Sequence, residues 1–134
     1  MKHFIILFIS ILIFSAGFAQ NQLSPTADGP TIKWENPNYD FGDLAQGEKV
    51  ETTFKFTNAG TAPLVITNVE VTCGCTTPKG WPRDPIPPGG TGELTVAFNS
   101  VGKIGRQNKV VKVISNSVLP QNQVVFTANV LPKE

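Results

Sequence analysis

Runs of alternating apolar and polar residues recur along this chain. Val50, Thr52, Phe54 and Phe56 alternate with Glu51, Thr53, Lys55 and Thr57, and Leu94, Val96 and Phe98 with Glu93, Thr95, Ala97 and Asn99. Val124, Phe126, Ala128 and Val130 repeat the pattern near the C-terminus. A period of two with one apolar face marks a half-buried antiparallel strand. Val110 to Ile114 is apolar apart from Lys112, as a central strand requires. Leu64-Val65-Ile66 and Val69-Glu70-Val71 fall on opposite phases, which predicts a bulge or crossover near Thr67-Asn68.

Shorter strands fit Thr31 to Trp34 and Tyr39 to Phe41, with turns at Asn58-Ala59-Gly60, Pro87-Pro88-Gly89-Gly90 and Ser115-Asn116-Ser117. Gly60 reads as a strand end that takes positive φ. Phe41 reads as packing into the sandwich edge, where Gly42 lets the backbone come close. The stretch from Pro78 to Pro88 reads as a loop. No segment carries a sustained helical stripe. The fold class is therefore all-β: an immunoglobulin-like β-sandwich of about seven antiparallel strands.

The first residues are of another kind. Lys2 precedes an apolar stretch from Phe4, and Ser15-Ala16-Gly17-Phe18-Ala19 places small residues three and one positions before a cut after Ala19. That is a secretory signal peptide, residues 1–19. Its apolar stretch of about 15 residues falls short of the roughly 20 that cross a bilayer, so no stable span remains after cleavage. No Cys sits at the cut, which argues against a lipid-anchored lipoprotein. Residues 20–30 are polar, with Pro25, Gly29 and Pro30, and read as a flexible leader. The sandwich takes residues 31–134.

Cleavage changes the available chemistry. It removes His3 and Met1, the only His and Met among 134 residues. The remainder carries ten basic and ten acidic residues. Without a His there is no Ser-His-Asp or Cys-His triad and no His-ligated metal or haem. Charge neutrality argues against nucleic acid as a partner. Glu48, Glu51 and Glu70 have no spacing that marks a carboxylate dyad. The expectation is a non-enzymatic protein without a cofactor.

Cys73-Gly74-Cys75 is the one constellation with distinctive chemistry. An oxidising compartment favours a disulfide between thiols this close. In a regular strand alternate Cα atoms lie about 6.6 to 6.8 Å apart, at the upper limit for a bridge. The chain must therefore bend, and Gly74 reads as the residue that permits it. The pair can serve as a local staple or as two half-buried thiols. It can also be a redox-active pair, a Cu(I) site between two thiolates, or the source of intermolecular disulfides.

Trp81, Arg83 and Asp84, in the segment from Cys73 to Pro88, are the candidate partner surface. Trp81 or Trp34 would stack on sugars in a carbohydrate-binding module. Lys103, Arg106, Lys109 and Lys112 read as a solvated edge that discourages strand pairing.

Several motifs together resemble a family. Tyr39-Asp40-Phe41-Gly42-Asp43-Leu44 precedes Gly47-Glu48. Phe54-Lys55-Phe56-Thr57-Asn58-Ala59-Gly60 is followed by Pro63-Leu64-Val65-Ile66. Cys73-Gly74-Cys75-Thr76, Ile86-Pro87-Pro88-Gly89-Gly90 and Gly105 come after. The set resembles the bacterial secreted family called domain of unknown function 1573, over about Thr31 to Val130. The resemblance implies a sandwich similar to hydin-like and major-sperm-protein/PapD-like domains, and export. It implies no catalytic residue. The expected role is binding or assembly at the bacterial envelope, periplasmic or extracellular, with an envelope protein or a glycan as partner. The two other classes, a thiol redox or Cu(I)-handling protein and a carbohydrate-binding module, stay open. The sequence leaves the oligomeric state and the redox state of the cysteines open.

Overall fold

The computed structural model describes residues 28–133, so the expected signal peptide and the expected leader up to residue 27 lie outside the described residues. Eight strands run in order: β1 (Ile32–Trp34), β2 (Asn38–Ala45), β3 (Lys49–Asn58), β4 (Ile66–Val71), β5 (Thr76–Gly80), β6 (Thr91–Asn99), β7 (Gly105–Ser115) and β8 (Gln121–Leu131). They form two four-stranded sheets, β1-β3-β6-β5 and β2-β8-β7-β4. Among the described residues there is no helix, and hence none long and apolar enough to cross a membrane.

The alternating positions make the core. Phe54 and Phe56 of β3, Leu94, Val96 and Phe98 of β6, and Val124, Phe126, Ala128 and Val130 of β8 are buried together. Each Val, Leu or Phe side chain so buried contributes on the order of 1.5–3 kcal/mol against solvent exposure. Phe98 and Phe126 meet across the two sheets with ring centroids 5.4 Å apart.

Two expectations about the strands are corrected. There are eight, because Thr76–Gly80 is a strand where a loop was expected from Pro78. Nor is every pair antiparallel, because β2 runs parallel to the C-terminal strand β8, Asn38 opposite Val125 through Ala45 opposite Leu131. The cause is a switch of sheets. The chain leaves β3 after Trp34, turns at Asn36-Pro37-Asn38 and joins the other sheet beside β8. The predicted irregularity near Thr67-Asn68 is present as a register shift between Ile66 and Asn68.

Two glycine readings exchange places. Gly60 does not take positive φ; a Cβ there would run into the backbone of Gly29, Pro30 and Thr31, so it serves close approach. Gly42 does take positive φ, +73°, with open space around it, where the β2–β8 register shifts between Asp40 and Asp43. Phe41 is half-buried against Phe126, ring centroids 5.5 Å apart.

Asn58 is a buried hub. Its Nδ2 donates to the carbonyls of Ala62 (2.8 Å) and Ile86 (2.9 Å), and its Oδ1 accepts from the N–H groups of Gly60 (3.0 Å) and Thr31 (3.2 Å). One side chain thus ties the start of β1, the turn after β3 and the segment before β6, using the whole donor and acceptor capacity of an amide.

Candidate functional site

The first element of a site is an incomplete strand pairing. β1 covers only the last turn of β3: Ile32, Lys33 and Trp34 pair with Asn58, Thr57 and Phe56, and the Glu35 N–H reaches the Lys55 carbonyl at 2.9 Å. Backbone groups alternate sides along a strand. Lys55 therefore points its N–H and C=O toward β1, and so do Thr53, Glu51 and Lys49. Among the described residues no strand pairs with that edge from Lys49 to Phe54. A groove of about 220 Å³ opens beside it, lined by Thr53, Phe54, Lys55, Glu35, Asn38 and Tyr39. It lies where the chain passes from one sheet to the other. A larger groove of about 610 Å³ adjoins it, with Lys33, Glu35, Lys55 and Glu93 around Trp34 and Thr57.

The second element is the cysteine pair. Cys73 and Cys75 are bridged, with Cα atoms 5.2 Å apart, on the tight crossover from β4 in one sheet to β5 in the other. A turn closes there, the Thr76 N–H donating to the Cys73 carbonyl at 3.1 Å. The Asn99 N–H fixes the Cys75 carbonyl at 2.8 Å, and the Cys75 N–H donates to Cys73 Sγ at 3.2 Å. Both cysteines are half-buried and Gly74 is exposed. Gly74 lies within that turn, but the bend does not require a glycine there. Its φ lies outside the left-handed region and a Cβ on it meets nothing within 4 Å. The turn from Cys73 to Thr76 supplies the bend with ordinary backbone conformation. The closed loop holds three residues, for which chain entropy gives only about 1.6 kcal/mol of stabilisation.

The expected partner surface divides. Arg83 and Asp84 are exposed, but Trp81 is half-buried and packs against the core. The Arg83 guanidinium lies over the Trp81 ring, 3.9 Å from its centroid. The guanidinium thus occupies one indole face while the ring packs against the core. Trp34 packs edge-on against Phe54 and Phe56.

The basic residues sit otherwise than expected. β7 is an inner strand, and Lys112 lies opposite Glu70 within the β4 pairing. Only Gly105 to Val110 runs past the end of β4, so the edge reading holds for Arg106 and Lys109 alone on this strand. The described ion pair is Lys79 with Glu51, 3.0 Å apart on the surface. Among the described residues no group of three His, Cys, Asp or Glu side chains converges to hold a metal.

Sequence reasoning missed the open β3 edge, because the pattern shows which residues form a strand but not how far its neighbour extends. The shortness of β1 was visible, since Pro37 ends the run at Trp34.

Comparison with known proteins agrees with this architecture. A family model described as "Protein of unknown function (DUF1573)" matches residues 32–130. No curated protein matches the chain. A protein of unknown function from Porphyromonas gingivalis superposes with a TM-score of 0.65 at 22% identity, over 78% of this chain and 48% of that one. The secreted serine protease VesC of Vibrio cholerae gives 0.60 at 12% identity, over 75% of this chain and 23% of that one. A PapD-like domain of human CEP192 gives 0.53 at 14% identity, over 78% and 86%. The chain thus spans less than half the length of the two bacterial proteins, and at these identities the likeness is one of fold.

Proposed function

The chain belongs to the DUF1573 family, proteins of unknown function, and we propose that it is an exported, non-enzymatic binding module that accepts an extended partner strand at the bacterial envelope. The observation that carries this reading is the open edge of β3. Thr53 and Glu51 present unpaired backbone donors and acceptors there, next to a groove with room for side chains. Such an edge adds a strand through main-chain hydrogen bonds, and the adjoining groove selects its residues. Lys49, Glu51 and Lys55 flank the edge with charge, which discourages pairing of the module with itself. Export rests on the basic, apolar and small-residue order of the first 19 residues.

Thr53→Pro tests the reading. Proline removes the outward N–H of Thr53 and no backbone bond to β6, only the exposed hydroxyl contact with Thr95 (3.0 Å), so the sandwich persists while the edge is blocked. The expected result is capture of an envelope protein by the wild type, loss of that capture with Thr53→Pro, and full capture with Arg83→Ala and Asp84→Ala. Equal capture by Thr53→Pro would refute the edge, and loss with the Arg83 and Asp84 variants would move the surface to that segment. Mass measurement of the protein recovered from the envelope should show an N-terminus at Gln20.

A further inference from the structure

We infer that Cys73–Cys75 is a thiol–disulfide exchange site whose co-reactant is a dithiol, with Cys73 the sulfur that leaves as a thiolate. The inference does not depend on strand docking.

Three observations carry it. The crossover holds its shape through the bonds from the Thr76 N–H to the Cys73 carbonyl and from the Asn99 N–H to the Cys75 carbonyl, neither of which needs the S–S bond. Opening the bridge therefore leaves the sandwich standing. Second, the Cys75 N–H points at Cys73 Sγ from 3.2 Å. A donor aimed at one sulfur favours negative charge there, which makes it the better leaving group. Third, neither conformation nor packing requires a glycine at position 74, since its φ is ordinary and a Cβ would meet nothing within 4 Å. What glycine does there is put no side chain between the two cysteines. Asn99, whose N–H holds the Cys75 carbonyl, is followed by a turn that exposes Val101 (60%) and Ile104 (54%).

The step balances as follows. A partner thiolate attacks Cys75 Sγ, and the Cys73–Cys75 bond breaks as a mixed disulfide forms. Cys73 departs with the bonding pair as a thiolate, held by the Cys75 N–H, and then takes a proton from water. The partner's second thiol, deprotonated, attacks the partner sulfur of the mixed disulfide and releases Cys75, which is protonated in turn. Two electrons pass to the cysteine pair, which becomes two thiols, and the partner dithiol becomes a disulfide. The reverse reaction reduces a partner disulfide to a dithiol and closes the Cys73–Cys75 bridge.

The test uses the oxidised mature protein in native buffer, treated with dithiothreitol or with a thioredoxin-type dithiol protein. Samples are quenched by alkylation, weighed intact and followed by circular dichroism. Expected are two alkylated thiols with an unchanged spectrum, and reclosure on adding oxidised glutathione. Gly74→Val should slow exchange roughly tenfold without altering the spectrum. The thiol of Cys73 in Cys75→Ser should alkylate with a lower pH midpoint than that of Cys75 in Cys73→Ser. The inference is overturned if the bridge resists reduction until the sandwich unfolds, if reduction unfolds it, if Gly74→Val exchanges like the wild type, or if Cys73 titrates no lower than Cys75. Val101→Ser with Ile104→Ser separates the sources of the dithiol. Slowing with the protein reagent alone supports a protein dithiol, and no slowing supports a small dithiol.

Discussion

The Nδ2 of Asn58 donates to the carbonyl of Ile86 across 2.9 Å, joining residues 28 positions apart in a site closed to solvent. The same amide makes three further bonds, so its loss strands partners at Thr31, Gly60, Ala62 and Ile86 together. Asn58→Ala should lower unfolding free energy by about 2–4 kcal/mol, since each buried group left without a partner costs more than a bond contributes. Urea titration measures it. A loss under about 1 kcal/mol would show that the turn is held elsewhere.

Two glycines should respond oppositely to alanine. At Gly60 a methyl group would run into the backbone of the segment Gly29-Pro30-Thr31, whereas at Gly74 it would enter open space. Gly60→Ala should cost more than about 2 kcal/mol and Gly74→Ala less than about 0.5 kcal/mol in the same titration. Equal costs would contradict the close approach at Gly60.

How far the sequence was informative follows from particular residues. Phe54, Phe56, Leu94, Val96, Phe98, Val124 and Phe126 announced the core, because burial on one face of a strand imposes period two directly on the residues. β5 went unseen because Pro78 and Gly80 interrupt any alternation, although Thr76-Thr77 carries β-branched residues. Asn58 showed only its turn-forming character; that its amide is a buried hub depends on segments 27 and 28 residues away. Cys73 and Cys75 stood out at once. Which sulfur receives an N–H depends on the crossover turn, which spacing alone does not fix.

Replacing both cysteines with serine should cost under about 2 kcal/mol, as expected for so small a ring. Differential scanning calorimetry of the Cys73→Ser, Cys75→Ser protein should show one cooperative transition, lowered by less than about 10 °C. A loss of cooperative unfolding would make the bridge a structural requirement and contradict the bonding of the crossover.

Arg83 covers one face of Trp81. Arg83→Ala should cost less than about 1 kcal/mol, typical of an exposed cation–π contact. In a Trp34→Phe background, acrylamide should then quench the remaining indole more strongly. Unchanged quenching would place the guanidinium away from the ring in solution.

The parallel pairing of β2 with β8 has a mechanical consequence. Tension applied between the chain before Ile32 and the chain after Leu131 pulls these two strands in opposite directions along their length. The ladder from Asn38–Val125 to Ala45–Leu131 is loaded in shear, so its hydrogen bonds share the force instead of opening one at a time. β1, with three paired residues, peels away first and leaves the rest closed. A module built this way bears traction along its own axis better than its modest size implies.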